Sequence, residues 1–252
     1  MLKSLAQILK KYFRHLENKP ILLKSSNTEN VFTPIELNFP SMDYHLFVEG
    51  GGYYDFSNVA WSNSKSQQLI LLSASYKKAA DKLISTAISE RDTTSLDLYF
   101  FPACFLYRHY IELSLKSLYF DFVWDKLEDS AKKIFGCHSI RTLWFKVEEL
   151  YRAPDSGSST QQTNALESYL MEFEKMDPNG QIFRYSFDKQ WKLHFPNPKK
   201  YDLKNLFIRM NEIENFLDAS ISFFMDRRQN SKACSTKSTY QCVPQEKIPG
   251  KD

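Results

Sequence analysis

The sequence predicts an all-α fold: a helical bundle with an irregular N-terminal arm and one small extended loop element. Three observations lead there. Glycine is scarce, 7 in 252 residues, while Phe (20) and Tyr (14) are plentiful, which favours helices over tightly turned sheets. Apolar residues recur at spacings of three and four through most of residues 66–226. Proline and glycine gather in a few short stretches, which divide this region into separate helices.

Residues 1–17 place Leu2, Leu5, Ile8, Leu9, Tyr12, Phe13 and Leu16 on one stripe, with Lys3, Lys10, Lys11 and Arg14 opposite. This is an amphipathic helix, expected to dock on the body of its own protein rather than on an anionic membrane. Residues 18–65 read as an irregular arm, interrupted by Pro20, Pro34 and Pro40 and containing "VEGGGYYDFSN". Gly50–Gly52 lack the Lys-Ser/Thr pair and the Gly-x-Gly-x-x-Gly spacing of phosphate loops, so a turn is expected there.

The bundle spans residues 66–228. Its first helix runs to about Glu90, with Leu69, Leu72, Tyr76, Ala79, Ala80, Leu83 and Ile84 on one side. A second helix, about 97–121, follows the Thr/Ser start signal of "TTSLDLYFF"; Pro102 lies in its first turns, or the helix begins there. It is apolar nearly all round, which makes it central. A third, about 139–152, is capped by Ser139 and lines up Ile140, Leu143, Trp144, Val147 and Leu150. After the loop "APDSGSSTQQT" comes a fourth, about 160–176, with Leu166, Tyr169, Leu170 and Phe173 inward. "DPNGQIFRYSFDKQWKLHFPNPKK" breaks helicity, and its alternation through Ile182, Arg184 and Phe187 predicts a short hairpin or extended loop. A long amphipathic helix closes the bundle at about 203–226. Residues 229–252 have few apolar groups and a basic excess, so a disordered tail is expected.

The net charge of +3 marks neither a strongly basic nucleic-acid binder nor an acidic solvating protein. Cys104, Cys137, Cys234 and Cys242 are not at metal-ligand spacing and read as reduced thiols. No motif calls for a metal or a cofactor. No run approaches the roughly 20 apolar residues of a membrane span, and the N-terminus lacks a secretory cleavage pattern, so a cytoplasmic location is expected.

The chemistry-bearing stretch is "FLYRHYIELSLKSLYF", residues 105–120. On a helix His109, Glu112 and Lys116 share a face, and Arg108 stands four residues from Glu112. Buried, these charges must pair, and they would lock the helix register. Lining a cleft, Glu112 would instead hold Arg108, His109 and Lys116 ready for an anion, with His138, Arg141 and Arg184 converging from other elements. The second arrangement is the expected one.

The helix with "SYKKAADKLI", the helix with "RHYIELSLKSL", then "CHSIRTLWFKVEEL", "FEKMDPNGQIFRYSFD" and a long closing helix together resemble the HEPN superfamily (higher eukaryotes and prokaryotes nucleotide-binding) over roughly residues 61–226. Its members are compact helical bundles, many of them dimers with the active site across the dimer cleft. Many are RNases of toxin–antitoxin, CRISPR and anti-phage systems. Others are non-catalytic and bind nucleotides, RNA or a partner. The catalytic members carry an Arg, often a polar residue after it, and a His after four to six intervening residues. Arg108 and His109 match the start of that motif, and the resemblance makes them the catalytic candidates. Leu113, Ser114 and Leu115 stand where the later His belongs, and Arg91, Arg141, Arg152, Arg184 and Arg209 have no such His either. The resemblance therefore implies a binding protein for RNA, a nucleotide or a protein partner, and a homodimer. An RNase with a displaced histidine and a structural interaction protein are the alternatives.

Overall fold

The computed structural model describes residues 46–47, 49–50, 57, 59, 63–123, 128–153 and 158–238. The chain divides into two units, Met1–Val59 and Ala60–Asp252. The expected helix at 1–17, nearly all of the arm at 18–65 and the tail from 239 lie outside the described residues. In the first unit, Gly50 takes a left-handed φ of 96°.

The second unit is all-α. Its described residues form six helices: α1 (Lys65–Glu90), α2 (Thr93–Leu118), α3 (Glu128–Phe135), α4 (Ile140–Arg152), α5 (Thr160–Met176) and α6 (Leu203–Ser238). A π turn, Tyr119–Val123, ends α2. Among the described residues there is no strand, only an antiparallel bridge between Phe187 and Leu193 at the expected extended element.

Local chemistry explains the helix ends. Ser64, Asp92, Ser139 and Ser159 accept backbone N–H bonds at the starts of α1, α2, α4 and α5, and Ser159 forms a full capping box with Gln162. Arg91 closes α1 in the left-handed region, and Asp92 opens α2 at once, so a two-residue connection folds the pair into a hairpin. Pro102 lies within α2, beyond the first turns where it was expected; its flanks Leu98 and Phe101 are exposed.

The central position of α2 follows from its composition: every residue from Tyr110 to Tyr119 is buried. The buried stripe of α1 is rotated from the expected one. It runs through Ser73, Lys77, Ala80, Ile84 and Ala87, while Leu72 and Ala79 are exposed. Small residues let α1 lie close against α2, and Lys77 turns inward because acceptors await it there. Trp144, Ile140, Leu143 and Val147 of α4, Leu166 and Leu170 of α5, and Met210, Ile213 and Leu217 of α6 complete the core. Helix α6 continues past Arg228 to Ser238, beyond the expected tail boundary. Extending an existing helix adds a hydrogen bond per residue without a new nucleation cost, so a polar sequence can follow it.

Candidate functional site

Two buried polar clusters and one surface cluster meet on α2. The first is the ladder Arg108–Glu112–Lys116, whose side chains are only 3–4% exposed. Glu112 Oε2 accepts from Arg108 Nη1 at 3.2 Å and Oε1 from Lys116 Nζ at 2.8 Å. The remaining bonds of both cations run to main-chain oxygens. Arg108 Nε donates to the Asp177 carbonyl (2.9 Å), its Nη2 to the His138 carbonyl (2.6 Å), and Lys116 Nζ to the Phe135 carbonyl (2.8 Å). Phe135 is the last residue of α3 and Asp177 the C-cap of α5. The two cations thus close helix C-termini, where carbonyl oxygens and the helix dipole favour positive charge.

The loop after α5 is shaped around this cluster. The fully buried Asp177 accepts through Oδ1 from the N–H groups of Gln181 (2.7 Å) and Ile182 (3.0 Å), and its Oδ2 lies 3.5 Å from Arg108 Nε. Gly180 takes φ 67°, and a Cβ there would stand 3.0 Å from Arg108 Nη1. Glycine is needed for both reasons. Nearby, Glu174 receives Ser139 Oγ and the Ile140 N–H, a carboxylate at the start of α4.

His138 Nδ1 lies 3.1 Å from Glu112 Oε1, and its ring is 64% exposed. Burial pushes the Glu112 carboxyl up, but the Lys116 ammonium and then His138 outweigh it and hold the group below its ordinary value.

The second cluster was not read from the sequence. Lys77, 0% exposed, donates to Asp81 (2.7 Å), Asn211 (2.7 Å) and Glu214 (2.8 Å), and Tyr107 Oη donates to Asp81 at 2.7 Å. This satisfies all three ammonium protons and ties α1 to α2 and α6. Its only local trace is the Lys77–Asp81 spacing of four, which a surface helix would share.

The third cluster is at the surface. His109 does not join Glu112; His138 is the imidazole that does. The His109 ring packs edge-on to Tyr76 (centroids 4.5 Å) and parallel to Phe105 (6.0 Å). Burial first, then Lys116 and Arg108, lower its pKa against the opposing pull of Glu112, so it is neutral at pH 7. Arg184 does not reach Glu112 either. Its guanidinium lies over Phe105 and Tyr185, 5.7 Å from each ring centre, and Nε donates to the Gly180 carbonyl. Arg184 and Tyr185 are exposed. Arg141 is exposed in the first turn of α4, with no bond to either group. Of the expected convergence, then, Arg108, Glu112 and Lys116 come together in the interior and the exposed His138 reaches Glu112 from the surface, while His109 and Arg184 meet at Phe105 instead.

Among the described residues, no group of three or more His, Cys, Asp or Glu is placed to hold a metal ion, and no helix is long and apolar enough to cross a membrane. Comparison with family models, curated proteins and solved structures gives no match to this chain. What fold and site define is an all-α bundle with its central helix pinned by buried ion pairs and an Arg/His/aromatic cluster on its surface.

Proposed function

We propose that this chain is a non-catalytic binding protein for RNA or a nucleotide, which holds a phosphate at Arg184 beside His109. The observation that carries this reading is the state of Arg184. Arg184 is an exposed residue whose guanidinium is braced over two aromatic rings and anchored through Nε alone; among the described residues nothing receives its Nη groups. A planar cation held this way is suited to bidentate contact with phosphate at little ordering cost. The neutral His109 on the same Phe105 ring adds a hydrogen-bonding group.

The resemblance to the HEPN superfamily supports an RNA or nucleotide ligand and a place in toxin or anti-phage systems. Two observations speak against RNase activity of the family type. The later His of the motif is missing, and Arg108 spends its donors on the interior. The test is fluorescence anisotropy with a labelled uridine 12-mer and with labelled ATP at low salt. Binding is expected to weaken with rising salt and to drop about tenfold or more in Arg184→Ala, with unchanged melting. Absence of binding to both probes refutes the proposal. Cleavage of the 12-mer that disappears in His109→Ala would replace it with the RNase reading.

A further inference from the structure

The segment that carries Arg184 continues into an exposed aromatic and basic hairpin. Residues 184–200 hold five exposed cations, Arg184, Lys189, Lys192, Lys199 and Lys200, against one carboxylate, Asp188. This local excess is larger than the net +3 of the whole chain. That one carboxylate serves the turn, Asp188 Oδ1 accepting from the N–H groups of Gln190 and Lys192, both at 2.9 Å.

Between the cations sits a stacked pair. The Phe187 and Trp191 rings lie 4.8 Å apart at 22°, with Trp191 78% and Phe187 42% exposed. Trp191 adopts φ 62°, a left-handed backbone that is strained for so bulky a residue. The turn holds it there. Trp191 N donates to the Asp188 carbonyl and Asp188 N to the Lys192 carbonyl, both at 3.0 Å, and Phe187 bridges to Leu193. Among the described residues, Phe187 is the one ring that Trp191 packs on.

We infer that the Phe187–Trp191 pair is a base-stacking platform for single-stranded RNA, with the surrounding lysines following the phosphate backbone. This rests on the phosphate site proposed at Arg184 and extends it to the bases. Flat exposed rings among cations fit a strand that offers flat bases and anions together, whatever its sequence. A second copy of this chain fits worse, because a two-fold contact would set the basic patch against itself.

Anisotropy with four probes tests the inference: a labelled uridine 12-mer, a thymidine deoxy-12-mer, a 12-base-pair RNA duplex, and vesicles containing phosphatidylserine. Wild type should bind the uridine 12-mer more tightly than the duplex. Trp191→Ala should lose about tenfold for the single strand, the order expected for one lost stack. Its duplex binding should stay unchanged, and Trp191→Phe should restore most of the loss. If the uridine 12-mer binds and Trp191→Ala changes this less than twofold, the platform fails while the Arg184 reading stands. If no nucleic acid or nucleotide binds, both fail. Binding to vesicles in place of RNA, or to the deoxy strand alone, also overturns the inference.

Discussion

Replacing Glu112 by Gln leaves Arg108 and Lys116 facing a neutral amide where water hardly reaches. The expected cost is about 3–5 kcal/mol, the range for a broken buried pair, read from urea denaturation. Arg184→Ala, at the surface, should cost less than about 1 kcal/mol. The same carboxylate sets an acid limit. Its folded pKa lies below its ordinary value of 4.5, so its contribution is complete above that pH and is lost as pH falls through the folded pKa. Wild type should therefore lose stability below about pH 4.5 more steeply than Glu112→Gln. The spacing of Arg108, Glu112 and Lys116 was legible in the sequence, because four residues make one helical turn. Their acceptors were not. The carbonyls of Phe135, His138 and Asp177 belong to other elements, and main chain leaves no mark in a residue pattern.

At the scale of elements, caps and apolar periodicity placed α4 and α5 closely, because both signals are local. The short α3 left no clear pattern, and the buried face of α1 is rotated from the expected one while keeping Ala80 and Ile84. A lysine in the middle of a stripe marks the outside of a helix unless a distant element supplies acceptors, and Asn211 and Glu214 of α6 do so. Lys77→Ala should then cost about 1–3 kcal/mol, since it removes charge-assisted bonds from two carboxylates and an amide that water partly reaches. Gly180→Ala tests the loop after α5. A left-handed alanine, pressed on a guanidinium that is pinned on three sides, should cost about 1–3 kcal/mol in a thermal or urea melt.

For the molecule as a whole, far-ultraviolet circular dichroism should be that of a helical protein. The homodimer implied by the family resemblance should appear in light scattering as twice the 29.6 kDa chain mass, and a mass of one chain at all concentrations would remove it. The fold was legible because helices announce themselves in short windows; the surface cluster was not, because Phe105, His109 and Arg184 meet only after the loop has folded back onto α2. The cations of the central lock end on backbone oxygens, and every amino acid carries one. The positions that supply those oxygens at 135 and 138 hold exposed side chains, 65% for Phe135. A change of side chain there keeps the carbonyl bonds in place, and it removes only the Phe135 ring over Lys116 and the His138 contact with Glu112. Diverged homologues should vary more at 135 and 138 than at 108, 112 and 116, which should change only together, as a trio replaced outright by apolar residues.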